Sequence, residues 1–107
     1  MTYSLHPEAE KELVEAFAFY KEQASNAVAR AFLREFGRVA NLLVANPGFG
    51  TPTGGGRRSY PLRHFPYSLI YRPTENGIRI LVVGHQQRRP GYWRGRIKVQ
   101  DAGNGDT

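Results

Sequence analysis

The feature that most constrains the fold is a hydrophobic stretch from Ile78 to Val83, which holds five large aliphatic side chains and one arginine. Four of its positions are β-branched, which predicts a central, largely buried strand. Asn76-Gly77, directly before it, is a strong hairpin signal because both residue types tolerate the positive φ of a type I′ turn. The central strand is therefore expected to pair antiparallel with the segment before the turn, Phe65 to Arg72.

The same strand leads directly into a run of polar, cationic and aromatic side chains. A strand that ends in such groups can hold them rigidly at one edge of a sheet. The candidate functional residues that follow it are His85, Arg88, Arg89, Tyr92 and Trp93.

The N-terminal half predicts two helices. Pro7 suits a first helical turn, and apolar residues at steps of three and four extend the first helix to about Gln23. Ser25 or Asn26 can cap a second amphipathic helix, which Asn46-Pro47-Gly48 stops. Before them, Tyr3 to His6 alternates in polarity, as a short strand does.

The order of elements predicts an α+β fold, β-α-α-β-β-β, in which a two-helix antiparallel hairpin packs on a small antiparallel sheet. The five glycines within residues 48–56 predict a flexible loop. Arg58 to Leu62 is expected to form a strand, which Pro61 places at an edge or a bulge. Trp93 to Arg96 is expected to form a short terminal turn or helix. Residues 1–98 are expected to form a single domain, and residues 99–107 a disordered tail.

The net charge of +6 is distributed unevenly. Residues 57–98 hold ten basic residues and one acidic residue, whereas residues 1–56 hold five and six. A patch of one sign attracts polyanions or acidic protein segments, although a solvated, solubilising surface would have the same composition. The absence of cysteine excludes thiolate metal sites, and no apolar run has the length of a membrane span. A soluble, cytoplasmic protein without metal or cofactor is expected.

Four segments, in this order, resemble the RelE/ParE superfamily of bacterial type II toxins. They are AEKEL early in the first helix, NPGFG after the second, RxxPLxxFPYxLIY from Arg58 to Tyr71, and IRILVVGHQQRRPGYW. The resemblance covers residues 3–96 and implies two helices packed on a small antiparallel sheet.

The resemblance implies one of two activities. RelE-like members cleave mRNA in the ribosomal A site, and ParE-like members inhibit DNA gyrase without nuclease chemistry. We take ribosome-dependent mRNA cleavage as the first expectation and gyrase inhibition as the alternative. In both classes a cognate acidic antitoxin is the partner that holds the toxin inactive.

Metal-independent RNA cleavage would need a base on the 2′-hydroxyl, an acid for the leaving oxygen and cations on the phosphate. His85 and Tyr92 are the predicted proton-transfer pair, with Arg63 and Arg88 as phosphate clamps. A lone histidine at a strand end is equally compatible with a structural role. The predicted nucleic-acid-binding residues are Arg57, Arg58, Arg89, Trp93, Arg94 and Arg96.

Overall fold

A computed structural model describes residues 2–87 of the 107-residue chain. Its elements are β1 (Thr2–Leu5), α1 (Pro7–Gln23), α2 (Asn26–Ala45), β2 (Thr51–Gly54), β3 (Arg57–Pro61), β4 (Tyr67–Thr74) and β5 (Gly77–His85). The predicted α+β class and the order of a strand, two helices and then strands are confirmed. Three predictions lie outside the described residues: the terminal turn or helix at residues 93–96, the domain limit at residue 98 and the disordered tail of residues 99–107.

Within residues 2–87 the sheet has five strands, in the order β1-β5-β4-β3-β2. β3, β4 and β5 form the expected antiparallel meander. The expected edge position of β3 is wrong, because β3 lies between β4 and β2; Pro61 is its last residue, beyond the stretch that pairs with β2. β1 pairs with β5 in parallel, from Thr2 opposite Gly77 to Leu5 opposite Ile80, so the sheet is mixed rather than wholly antiparallel. No local turn signals this pairing, because two helices and three strands separate β1 from β5 along the chain.

The glycine-rich segment is more ordered than expected, because it contains β2 and the turn into β3. Gly55 and Gly56 occupy this turn with φ of 63° and 79°, the positive values that a type I′ hairpin requires at both central positions. Pro52 lies on β2, at the outer edge of the sheet and beside a register shift in the pairing with β3, the kinds of position to which proline is confined in sheets. The prediction of a flexible loop is therefore wrong for residues 51–56.

The hairpin between β4 and β5 is confirmed, but its turn consists of Glu75 and Asn76. Neither residue has a positive φ, so the expected type I′ geometry is wrong here. Gly77 instead begins β5 with φ 155°, and a Cβ at this position would overlap the carbonyl oxygen of Thr2. Glycine is needed because β1 approaches the β5 backbone closely, not because the turn requires it.

The main core lies between the helices and one face of the sheet. α2 buries an apolar stripe against sheet residues that include Leu69, Tyr71 and Ile80, whereas α1 contributes the small side chains of Ala9 and Ala16. The buried α2 residues of this core are Phe32, Phe36, Val39, Ala40, Leu43 and Val44.

Both helices begin at capped N-termini. The Ser25 hydroxyl accepts a hydrogen bond from the Val28 amide, as the sequence predicts, and Nδ1 of buried His6 accepts one from the Glu8 amide. Neither helix, in the part of the chain that the structure describes, combines the length and apolar character needed to cross a membrane.

Candidate functional site

One end of the sheet brings together two of the predicted catalytic residues. His85 ends β5 and lies opposite Tyr67, the first residue of β4. The Leu62 amide donates to the Tyr67 carbonyl over 2.9 Å, which closes the loop between β3 and β4 and places Arg63 in that loop. His85 and Arg63 therefore lie at the same end of the sheet, on either side of β4.

His85 is half-buried at the margin of an aromatic cluster. Its ring lies edge-on to Tyr67, with centroids 5.1 Å apart, and Tyr67 in turn packs against Tyr20 and Phe32. Nδ1 of His85 accepts a hydrogen bond from the Gln87 amide over 3.1 Å, so the proton of the neutral ring lies on Nε2. Burial, with the neighbouring Tyr20, raises the pKa of Tyr67, which keeps its phenol protonated at neutral pH.

The Arg63 loop is fixed by a carboxylate on α2. Glu35 accepts a hydrogen bond from the Arg63 amide over 2.6 Å and binds the Arg38 guanidinium through both carboxylate oxygens, at 2.8 and 2.7 Å. The Arg38 hydrogen bonds, and to a lesser degree the Arg63 amide, lower the pKa of Glu35 against the opposing effect of burial. Beside this group lies an open cleft of about 340 Å³, lined by Arg38, Tyr60, Pro61, Leu62 and Arg63.

Arg57 and Arg58 lie toward the other end of the sheet. Arg58 pairs with Tyr71, four residues along β4 from Tyr67, or roughly 13 Å at the rise of a strand. Its guanidinium donates to the carbonyls of Gly48 and Gly50, at 3.2 and 2.7 Å, in the loop after α2. Arg58 therefore holds this loop, and Arg57, its neighbour on β3, faces the opposite side of the sheet.

Tyr71 completes the attachment of the same loop. Its hydroxyl donates to the Pro47 carbonyl over 2.7 Å and accepts from the Gly50 amide over 2.9 Å. A Cβ on Gly50 would approach the Tyr71 hydroxyl to 2.6 Å, so only glycine fits against this ring.

The structure brings together only part of the predicted site. Among residues 2–87, His85 and Arg63 share one end of the sheet, and Arg57 and Arg58 do not converge with them. No cluster of three or more potential metal-ligating side chains occurs within the same residues. The other predicted site residues lie outside the described part of the chain: Arg88, Arg89, Tyr92, Trp93, Arg94 and Arg96.

Sequence reasoning missed Glu35, Arg38 and Tyr60. The spacing of Glu35 and Arg38 signals an ion pair on one face of a helix. Their contact with the Arg63 loop is a tertiary feature with no local signal, since 28 residues separate Glu35 from Arg63.

Comparison with known proteins assigns the family. Residues 3–90 match a family model described as the ParE toxin of the type II toxin-antitoxin system parDE. The chain is also 30% identical over 86 residues to Toxin ParE2 of Mycobacterium tuberculosis, in strains CDC 1551 / Oshkosh and ATCC 25618 / H37Rv, covering 80% of this chain and 82% of each relative. The chain belongs to the ParE toxin family.

The fold of this ParE-family toxin agrees with that assignment. A solved structure of the chromosomal ParDE system from P. aeruginosa superposes with a TM-score of 0.68 at 23% identity, covering 79% of this chain and 95% of that chain. The predicted membership of the RelE/ParE superfamily is confirmed. The relatives and the family model are named for ParE.

Proposed function

We propose that this ParE-family toxin inhibits DNA gyrase and performs no nuclease step. The observation that carries the proposal is the match to the ParE toxin family over residues 3–90. ParE-like members of the superfamily are the gyrase inhibitors, whereas the RelE-like members cleave mRNA.

The positions of the described arginines support the same proposal. Cleavage of a phosphodiester needs cations and proton-transfer groups held together around one phosphate. Here Arg58 pairs with Tyr71, roughly 13 Å along β4 from Tyr67, and its guanidinium holds a loop, whereas Arg63 follows Leu62, whose amide binds the Tyr67 carbonyl. A protein-binding surface requires no such convergence, because its contacts are distributed over a wide area.

The proposed partner in the resting state is a cognate antitoxin. The solved relative from P. aeruginosa is titled a ParDE toxin-antitoxin system, and the C-terminal half of this chain is strongly basic. An acidic antitoxin would meet complementary charge there.

The test is a pair of assays on the purified full chain. We expect the toxin to block the supercoiling of relaxed plasmid by gyrase and to leave mRNA intact in a translation extract. Addition of the cognate antitoxin should restore supercoiling. Intact gyrase activity together with cleaved mRNA would contradict the proposal and favour the RelE-like alternative, for which the shared location of His85 and Arg63 is the supporting observation.

A further inference from the structure

The cleft at the junction of α2 and β3 has the chemistry of a carboxylate-binding site. Arg38 and Arg63 line it together with the phenol of Tyr60, and Pro61 and Leu62 give it an apolar part. Guanidinium groups and a hydroxyl are donors suited to an oxyanion, and the apolar residues can contact the methylene groups that carry it.

One of the two guanidiniums is held in place before any ligand arrives. Arg38 uses two of its five N–H groups on Glu35, which leaves three donors on a fixed planar group. The Arg38 side chain is 43% exposed, so these donors remain accessible from the cleft. Fixing the donor in advance lowers the entropic cost of binding.

The other guanidinium is positioned through its backbone. The amide of Arg63 is bound to Glu35, whereas its side chain is exposed and forms no ion pair with residues 2–87. The same carboxylate therefore fixes Arg38 and the loop that carries Arg63. With Glu35 included, the local charge is about +1, which matches a single carboxylate better than a dianion.

We propose that this cleft binds a carboxylate side chain on an acidic peptide segment of the antitoxin. A peptide is favoured over nucleic acid because a nucleic-acid strand carries a phosphate at every nucleotide and needs a row of cations. The cleft offers two arginines, and Arg57 and Arg58 do not extend that row. The inference rests on the proposed function, since the antitoxin supplies the peptide.

The test uses the purified full-length toxin and two probes, a blocked peptide of alternating glutamate and leucine, and an oligodeoxythymidylate. Binding is followed through the arginine Nε–Hε signals in nitrogen-15 NMR spectra. We expect the peptide to shift the Arg38 and Arg63 signals in a saturable manner. Arg63→Ala should weaken peptide binding about tenfold. Arg34→Ala removes an exposed arginine one turn earlier on α2, outside the cleft, and should change binding less than about twofold.

Three results would overturn the proposal. They are an equal effect of Arg63→Ala and Arg34→Ala, peptide-induced shifts spread evenly over all arginines, and tighter binding of the oligonucleotide at the same two signals. Circular dichroism of both variants shows whether they remain folded, and Arg63→Lys provides a milder change that keeps the charge but loses the planar fork. A supercoiling assay on the wild-type toxin tests the gyrase proposal separately, because it does not depend on the peptide.

Discussion

At the residue scale, the structure gives a structural role to an arginine that sequence alone places on nucleic acid. Arg58 and Tyr71 are cross-strand neighbours, and both attach the loop after α2 to the sheet. The side-chain types are those of a binding site, but here Nη1 of Arg58 and the hydroxyl of Tyr71 are hydrogen-bonded to backbone groups of residues 47–50. Charge and aromatic content predict a functional surface, whereas only the fold shows which side chains already form hydrogen bonds within the protein.

Replacement of Tyr71 by phenylalanine tests this attachment. The variant keeps the buried ring and removes one hydroxyl, which leaves the Pro47 carbonyl and the Gly50 amide without that partner. We expect the free energy of unfolding to fall by roughly 2 kcal/mol, measured by urea denaturation. Tyr3→Phe is the control, because its half-buried ring packs on Phe36 and no hydrogen bond of its hydroxyl occurs within residues 2–87. Equal losses in the two variants would contradict the assigned role.

Glu35 gives the fold a pH-dependent contribution. Its pKa is lowered from the ordinary value of 4.5 in the folded state, mainly by the Arg38 hydrogen bonds. A carboxyl whose folded pKa is depressed stabilises the fold above its unfolded pKa, and the contribution disappears as the pH falls through the folded pKa. Glu35→Gln should therefore cost about 1 kcal/mol at neutral pH, a modest value because the pair lies at the surface.

The same variant should become almost as stable as the wild type in acid. Urea denaturation at a series of pH values from neutral to below 4.5 measures the difference. If the difference in free energy of unfolding between the wild type and Glu35→Gln stays constant over this range, the charge of Glu35 contributes nothing and only its shape matters.

His85 distinguishes the two activities at the level of one side chain. If the toxin acts on gyrase without nuclease chemistry, His85→Ala should leave inhibition of supercoiling within about threefold of the wild type, because one half-buried contact is lost and no proton transfer is needed. A nuclease that used His85 as acid or base would lose on the order of a hundredfold or more in cleavage rate. Gln86→Ala, an exposed neighbour, is the matched control. Unchanged inhibition of supercoiling by folded His85→Ala together with a hundredfold loss of mRNA cleavage would show that cleavage is a separate activity and contradict the proposal that the toxin performs no nuclease step.

At the element scale, the central hairpin and the existence of β1 were accessible from sequence, whereas β2 and the pairing of β1 were not. A dense run of aliphatic residues predicts β5, and an apolar stripe at helical spacing predicts α2. The glycine-rich composition of the segment that contains β2 indicates a loop. Residues 51–54 form a strand there because they pair with β3. The parallel pairing of β1 is likewise a long-range contact. Local sequence patterns predict whether a segment is a helix or a strand. Which strands pair at the edges of the sheet depends on contacts between segments that are far apart in sequence.

Gly77 tests the long-range contact between β1 and β5. Gly77→Ala places a Cβ onto the Thr2 carbonyl and requires β1 to move, so the free energy of unfolding should fall by roughly 1–3 kcal/mol. Gly37→Ala is the matched control within α2, where an added Cβ meets no atom within 4 Å. It should stabilise the fold by about 0.5–1 kcal/mol because alanine favours the helix. Thermal melts of both variants measure the two opposite shifts.

At the scale of the whole molecule, the sequence predicted how much basic charge the C-terminal half carries but not its arrangement. Among the described residues, Arg63 lies beside a cleft, Arg58 holds a loop, and Arg57 faces the other side of the sheet. Alternation along β3 and the reversal of direction at the turns separate residues that are close in sequence. In this part of the chain Arg63 shares one end of the sheet with His85, whereas Arg57 and Arg58 do not; the convergence of arginines on His85 stays a prediction.

This dispersed charge predicts how the toxin meets an acidic antitoxin. Charges spread over several surfaces steer the approach of a partner from many directions, and added salt screens that attraction. We expect the association rate constant to fall by about tenfold or more between low and high salt, whereas the dissociation rate constant, set by short-range contacts, changes little. Surface plasmon resonance with immobilised antitoxin measures both constants.

Arg63→Ala should weaken binding mainly by raising the dissociation rate, because Arg63 lies at the cleft, and Arg34→Ala should act through the association rate alone. Salt dependence confined to dissociation would show that the charges act in the bound complex and not in the encounter.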